Sequence, residues 1–440
     1  MYNTTSCCPV CLEILPAVKK VEGNLVYLER NCPKHGFFKT LVSKDAERFF
    51  DKRFISAGKE RYENQTEVAK GCPYDCGLCP EHKQHLCSAL IEITDKCNLS
   101  CPVCYFGECG GSDISLAEFK KRLATVMRTE NGKLDVLQVS GGEPTLHPLF
   151  EEIISEACLE NIGRVVINTN GIKLLEDDKL FEVIKKNKER LEIYLQFDGF
   201  NETANLKLRG LDLSEVKTKV IAKLDSEDIR MSFAVTVIED NLSELKKILD
   251  LACKTKNVTG ITFQRLTKSG KGTSLSEEKA LVQEDLLVAI SDSGYLKYQD
   301  IVPLPCSHEN CTSISFLFVT KDKIYSLADF INYEKHQNII KDKIGFEASI
   351  LDYIKEEFGC ACCSSFMTKA LPVVQKFREF AAGRKAVNHN MKILRILVKN
   401  FMDSSTFDTE RAKKCCIGVA TGDNKIIPFC VNNIFKNKSC

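Results

Sequence analysis

Tryptophan is absent from this 440-residue chain and histidine occurs only 7 times. No stretch approaches the roughly 18 uninterrupted apolar residues of a membrane span, so an integral helical membrane protein is excluded. An excess of charge is missing too. Lys and Arg number 61 against 60 Asp and Glu, a net charge of +1, which provides no basic footprint for nucleic acid. The first twenty residues lack the apolar core of a secretory signal, so the expected location is the cytoplasm. Apolar residues at 44% and charged residues at 28% describe a chain that buries a real core rather than a disordered one.

What is abundant is cysteine, 23 residues of it. Disulfides need an oxidising compartment, and nothing here directs export. The cysteines also gather at two- and three-residue intervals, which is ligand spacing. Residues 1–60 hold four, 71–109 hold eight, 110–300 hold only Cys158 and Cys253, and 301–440 hold nine. A metal-poor middle is flanked by metal-rich ends. The two isolated cysteines sit in helical patterns and read as structural thiols.

The middle has a rhythm. β-Branched apolar runs recur at 89–94, 136–140, 164–168, 191–197, 231–238 and 258–263. Between them, Leu116, Phe119, Leu123 and Val126 keep helical spacing, as do Leu242, Leu245, Ile248 and Leu249. Ser115 before Glu118 and Ser243 beside Glu244 mark helix starts. Six alternating units predict an α/β fold with a parallel sheet, a partial (β/α)6 barrel with its chemistry at the C-terminal strand ends. Residues 265–274 read as a mobile loop, not a phosphate loop, because the required glycine spacing is absent. Beyond 275 the chain reads as mainly helical, with a short hairpin near 315–325.

The first predicted strand runs into Cys97-Asn-Leu-Ser-Cys101-Pro-Val-Cys104. Three thiolates in one loop hold three irons of a [4Fe–4S] cluster and leave the fourth open, whereas structural zinc loops close all four positions. The second strand ends in Ser140-Gly141-Gly142-Glu143-Pro144, the third in Asn168-Thr169-Asn170-Gly171, the fourth in Gln196-Phe197-Asp198-Gly199. The glycines permit close backbone approach to a ligand, and Glu143 is able to accept from an ammonium group. Each is an ordinary turn taken singly; together, at successive strand ends, they describe a cofactor cradle.

On these residues the chain resembles the radical S-adenosylmethionine superfamily over about 88–270. The resemblance implies a cluster on Cys97, Cys101 and Cys104, with S-adenosylmethionine on the open iron. It places Gly141, Gly142 and Glu143 at the methionine amine, and Asn170, Gln196 and Asp198 at ribose or carboxylate. The implied reaction is reductive cleavage of the cofactor to a 5′-deoxyadenosyl radical, fed by a ferredoxin- or flavodoxin-type electron donor. Where most members have an aromatic residue before the third cysteine, this chain has Val103, with Tyr105 just after.

Three further ligand sets flank this core. Cys8-x2-Cys11 with Cys32-x2-His35 is a complete mononuclear zinc or iron site, with Cys7 competing for Cys8's place. Cys72, Cys76, Cys79 and Cys87 make a closed [4Fe–4S] set, and Cys306, Cys311, Cys416 and Cys430 a second, for about three clusters in all. Cys360, Cys362, Cys363 and Cys415 stay open as ligands. The expected organisation is a mononuclear-metal domain at 1–60, an auxiliary cluster segment at 61–87, the radical core at 88–275, and a helical domain with an auxiliary cluster at 276–440.

The head, Pro305-Cys306-Ser-His308-x2-Cys311, and the Phe401…Cys415-Cys416…Cys430 tail look like the tetraether lipid synthase group, full length but short between Cys311 and Phe401. That resemblance implies C–C coupling of isoprenoid or alkyl lipid chains. The alternative, since the group also carries a pterin methyltransferase label, is radical modification of a small molecule such as a pterin; a non-catalytic electron carrier ranks below both. Met391, Ile393, Leu394, Ile396, Leu397 and Val398 are apolar enough to line a lipid channel, though each taken singly reads first as ordinary core. Lys392, Arg395 and Lys399 share one face of a predicted helix over 391–401, which makes peripheral membrane contact physically reasonable.

Overall fold

The computed structural model describes residues 1–59, 66–105, 111–274, 280–343 and 391–436. Cys109, Cys360, Cys362, Cys363 and Cys440 lie outside them.

Four antiparallel strands open the chain: β1 (Tyr2–Cys7), β2 (Ile14–Glu22), β3 (Leu25–Cys32) and β4 (Gly36–Ser43), paired in sequence order. Short turns join them. Gly36 takes φ +79 at the start of β4, a left-handed conformation that glycine adopts without a Cβ penalty.

The core follows the predicted rhythm. Strands β5 (Ser88–Thr94), β6 (Leu134–Gly141), β7 (Ile162–Thr169), β8 (Leu191–Gln196), β9 (Met231–Val237) and β10 (Val258–Arg265) run parallel in chain order. Parallel strands are covered on both faces, which is why β9 is buried at all seven positions. Its Phe233 is fully buried, with its ring 5.2 Å from that of Phe197. Truncating it to alanine costs about 3–5 kcal/mol by the usual cavity cost. Helix Leu116–Thr129 starts where expected, the Ser115 side chain accepting from the Glu118 amide. The Ser243 signal is displaced: Ser243 ends the short helix Glu239–Leu242, and Leu245–Lys254 follows without a side-chain cap. Cys253 is buried in that helix and Cys158 half-buried in Phe150–Leu159.

The C-terminal region is not mainly helical in its described part. It contributes β11 (Val302–Pro303), β12 (Thr312–Val319), β13 (Ile324–Ser326), β14 (Lys392–Lys399), β15 (Ile417–Ala420) and β16 (Ile426–Pro428). The expected hairpin is β12–β13. Strand β14 adds parallel to β10 and β15 parallel to β5, so the sheet runs β11-β12-β14-β10-β9-β8-β7-β6-β5-β15-β16. The predicted helix over 391–401 is therefore a central strand. A run of Ile393, Leu394, Ile396, Leu397 and Val398 buried from both sides suits either element by pattern alone, and sheet pairing on both edges decides it. Its basic residues do not form a membrane face. Lys392 donates to the carbonyls of Ala252 (2.5 Å), Thr255 and Val258 (3.1 Å), while Arg395 and Lys399, at strand period 2, face the barrel interior. Among the described residues no helix is long and apolar enough to cross a membrane.

The N-terminal sheet is tied to the tail. Lys19 pairs with Asp408 at 2.5 Å, Thr4 donates to the same carboxylate at 2.9 Å, and Arg30 donates to the Ser405 carbonyl at 2.8 Å.

Candidate functional site

The barrel encloses a cavity of about 750 Å³. Cys97, Cys101 and Cys104, on the loop after β5, line one end of it. The Leu99 amide donates to Cys97 Sγ at 3.4 Å. Residues 265–274 meet the loop from the far side, where the Lys271 amide donates to the Cys104 carbonyl at 2.9 Å. A Cβ at Gly270, φ +56, would stand 2.4 Å from that carbonyl oxygen, so only glycine lets the two segments meet. Val103 is buried against Ala204, Leu208 and Ile238. Tyr105 lines the cavity, accepting from the Thr267 hydroxyl at 2.9 Å, its ring edge-on to Phe429 at 6.0 Å.

The cradle residues converge, and their side chains hydrogen-bond with one another. The Gly142 and Glu143 amides donate to the carbonyls of Thr94 (2.7 Å) and Lys96 (2.8 Å). A Cβ on Gly141 or Gly142 would stand 2.3 Å from those oxygens. The two glycines thus admit the cysteine loop, and both also line the cavity. Glu143 is buried and accepts from the Thr145 amide (3.2 Å) and hydroxyl (2.6 Å), the Thr169 hydroxyl (2.7 Å) and the Asn170 amide (2.7 Å). Oε1 takes three of these donors and Oε2 only the Asn170 amide, so Glu143 clamps β6 to β7 and keeps acceptor room on Oε2. Asn170 donates to Asn98 Oδ1 at 2.7 Å, inside the cysteine loop. Gln196 donates to Asp198 and accepts from Lys217 at 2.9 Å.

Asp198 is the anchor. It is buried, receives Arg209 in fork geometry (2.6 and 3.0 Å) and accepts from the Thr236 amide at 2.8 Å. Burial alone would weaken the Arg209 charge, but Asp198 and Cys101 hold its pKa above the ordinary range. Lys217 is buried and also donates to the Asn170 carbonyl; burial, with repulsion from Arg209, brings its ammonium down to about 7. Sequence reasoning missed Arg209 and Lys217. Each sits in a helical pattern where a cation reads as solvated surface, and only the fold turns them inward.

Around the barrel wall the lining is polar: Gln138, Asn168, Glu192, Tyr194, Thr262 and Arg395 all face the cavity. Glu92 of β5 lines it too, and burial raises its carboxyl to about 7 against the pull of Arg122. The unfolded chain therefore releases this proton first, so stability falls as pH rises from about 4.5 to about 7. Thermal melts across that window are expected to show the fall in wild type and a flatter profile in Glu92→Gln; parallel profiles would refute the assignment.

Away from the cavity, Cys8, Cys11, Cys32 and His35 bring their ligand atoms within 4.8 Å of one another. His35 Nδ1 lies 3.5 Å from both Cys8 and Cys32 Sγ, and Cys11 Sγ lies 3.9 Å from Cys32 Sγ. Ligands at about 2.3 Å from a tetrahedral metal stand roughly 3.8 Å apart, so the donor set fits zinc or iron. Burial raises the Cys8 thiol, but the amides of Cys11 and Val10 outweigh it and bring it to about 6. Cys7 is no competitor: it donates to the Ser404 carbonyl at 3.3 Å. Cys32→Ala is expected to release one metal and lower the melting temperature while S-adenosylmethionine binding persists. Unchanged metal content and stability would count against the site.

The other cysteines regroup. Cys87 was expected with Cys72, Cys76 and Cys79. Instead its sulfur lies with those of Cys306 and Cys416, all buried and within 4.8 Å of one another. Burial pushes the Cys87 and Cys306 thiols up, while their hydrogen bonds hold Cys416 well below the ordinary thiol range, so a bound cation is what would hold all three as thiolates. His85 Nε2 stands 3.6 Å from Cys87 Sγ. Cys311 and Cys430 separate from Cys306 and Cys416 and share Arg411, whose Nε donates to Cys311 Sγ at 3.3 Å. Cys72 and Cys76 remain together and pack with Cys430 in one apolar cluster that includes Met402 and Phe407. Cys415 points elsewhere, donating to the Ile417 carbonyl at 3.2 Å. Sequence spacing groups neighbours along the chain; the β5–β15 pairing brings Cys416 to Cys87.

With this geometry established, comparison with known proteins is direct. Residues 91–252 match the radical SAM superfamily, and residues 1–44 match the HMPTM N-terminal zinc ribbon domain. The chain is 32% identical over 482 aligned positions to a 7,8-dihydro-6-hydroxymethylpterin dimethyltransferase of Methanocaldococcus jannaschii, covering 98% of this chain and 93% of that one. It is 30% identical over 174 residues to the antilisterial bacteriocin subtilosin biosynthesis protein AlbA of Bacillus subtilis, over 38% of this chain and 37% of that one. Among solved structures, Streptococcus suis SuiB bound to S-adenosylmethionine is similar at 15% identity and a TM-score of 0.41, over 48% of this chain and 47% of that one. The expectation of lipid C–C coupling finds no support in these relatives; the full-length one carries the pterin name that stood as the alternative. Its cofactors are S-adenosylmethionine and a [4Fe–4S] cluster, and it is an enzyme: the chain belongs to the radical S-adenosylmethionine superfamily, in the pterin methyltransferase-like group.

Proposed function

We propose that the protein is a radical S-adenosylmethionine methyltransferase acting on a small polar heterocycle, a pterin. The observation that carries this reading is the barrel wall. Gln138, Asn168, Glu192, Tyr194, Thr262 and Arg395 face inward, a polar and partly charged lining that suits a polar ligand better than an alkyl chain. A cavity of about 750 Å³ suits a bicyclic ligand beside the cofactor. The full-length relative's name supports the same substrate class.

Cys97, Cys101 and Cys104 hold the cluster in this reading. They fit it: three thiols on one loop at the cavity end leave one iron position open. When bound, the cluster and cofactor supply one-electron chemistry that activates an unreactive C–H bond. The chain's own work is positioning. Glu143 fixes the β6 and β7 ends, Asn170 reaches back to Asn98, and Asp198 holds Arg209 beside Cys101. The electron donor is of the ferredoxin or flavodoxin type. The remaining cysteine groups carry auxiliary clusters, with Cys87, Cys306 and Cys416 in one and Cys72, Cys76 and Cys79 in another. The N-terminal set holds zinc or iron.

The test is anaerobic reconstitution with S-adenosylmethionine, reductant and 7,8-dihydro-6-hydroxymethylpterin, read by mass spectrometry. Methylated pterin with 5′-deoxyadenosine is expected. 5′-Deoxyadenosine formed while the pterin stays unmodified would overturn the reading.

A further inference from the structure

One row of the barrel wall is built around a gap. Across five strands the register aligns Arg395 with Gly260, Gly260 with Ser232, Ser232 with Tyr194, and Tyr194 with Asn168. At Gly260 the row has no side chain, and the Arg395 guanidinium occupies the space. A Cβ there would stand 3.2 Å from Arg395 Nε and 3.3 Å from Nη2. Arg395 thereby reaches Glu192 of β8, Nη2 to Oε1 at 3.6 Å. The Ser232 hydroxyl donates to the same oxygen at 2.5 Å and orients the carboxylate.

This pair carries an unmet demand. Arg395 Nε is buried with no hydrogen-bond partner, and so is Asn168 Oδ1 further along the row. The Asn168 amide nitrogen is already engaged, donating to Gln138 Oε1 at 3.0 Å and Ser140 Oγ at 3.3 Å. Buried polar atoms are nearly always satisfied, and this unmatched donor and acceptor belong to two side chains that line one cavity. All these residues line the same space, with Tyr194 and Thr262 between them.

We infer that Glu192 and Arg395 recognise the 2-amino-4-oxo edge of the substrate ring, with Asn168 as a further acceptor; this rests on the pterin reading. The chemistry is complementary. A carboxylate accepts from two adjacent N–H groups, here the exocyclic amine and the ring imide, while a guanidinium donates to the adjoining carbonyl oxygen. Glu192 and Arg395 stand side by side in the order that edge requires. Gly260 is a specificity residue at one remove, since it makes the room for Arg395.

The test uses reconstituted holoenzyme with S-adenosylmethionine, titrated anaerobically in a calorimeter. The probes are 7,8-dihydro-6-hydroxymethylpterin, isocytosine, which carries the same edge on one ring, and 2,4-diaminopyrimidine, in which an amine replaces the carbonyl. Wild type is expected to bind the first two and to discriminate against the third. Glu192→Gln is expected to weaken the first two by about tenfold or more, since it puts a donor against a donor. Arg395→Gln is expected to narrow the gap between isocytosine and the diamine, which a merely structural role would not do. Iron content and melting temperature verify folding. Should either variant fail to fold, Gly260→Ala and Ser232→Ala disturb the same pair with both charges in place, and each is expected to weaken isocytosine binding. Wild-type affinities in the folded variants, or no isocytosine binding by wild type, would overturn the inference. Isocytosine binding lost in Glu192→Gln, with no pterin methylation by wild type, would uphold the subsite and sink the pterin reading. Pterin methylation with affinities indifferent to these variants would do the reverse.

Discussion

Alanine at Cys97, Cys101 and Cys104 together is expected to abolish 5′-deoxyadenosine formation. The three thiols share one loop and line the cavity end, and without them no cluster with an open iron assembles there. The loop itself is held by backbone contacts that do not involve the sulfurs: Gly142 to Thr94, Glu143 to Lys96 and Lys271 to Cys104. The variant therefore keeps its fold, and the loss is read as chemistry. Iron content is expected to fall by one cluster. Retained cofactor cleavage would move the radical site to the Cys72–Cys79 group, which has the same spacing but, among the described residues, no strand leading into it.

Asp198→Asn is expected to have the next largest effect, on stability and on the cofactor site together. Arg209 is buried against the Asp198 carboxylate, and removing one partner leaves an uncompensated charge, at a cost of about 3–5 kcal/mol. The amide also loses its match to the Thr236 amide and to Gln196, both of which donate to the carboxylate. Arg209 bears on Cys101, so its displacement is expected to weaken S-adenosylmethionine binding in parallel with the drop in melting temperature. A melting temperature and cofactor affinity like those of wild type would show that Asp198 anchors nothing.

Resemblance to the tetraether lipid synthase group had led to a lipid substrate, and one segment had made it physically reasonable. Lys392, Arg395 and Lys399 at spacings of 3 and 4 satisfy a helical face, yet the same residues form β14. Two apolar residues separate Lys392 from Arg395 and three separate Arg395 from Lys399, a pattern that both periods accommodate. Pairing with β10 and β12 settles it, and those partners lie more than seventy residues away in sequence. As a strand, the segment turns Arg395 into the barrel and supplies a recognition residue where a membrane contact had been read.

Local chemistry was enough for the six parallel strands, the Ser115 cap, the Cys97–Cys104 loop and the four-ligand N-terminal site. Each depends on residues close in sequence, and period, spacing and capping are properties of short segments. The alternation of units also carried the parallel sheet, since a crossover of that length leaves little else. Long-range pairing decided the rest. It placed Cys416 beside Cys87 and Cys306, and gave the Glu143 and Asp198 carboxylates their protein donors. It also set Arg395 over Gly260. Such contacts join residues whose separation along the chain carries no signal, because a side chain's partners are chosen by which strands lie side by side, and that choice belongs to the folded sheet as a whole.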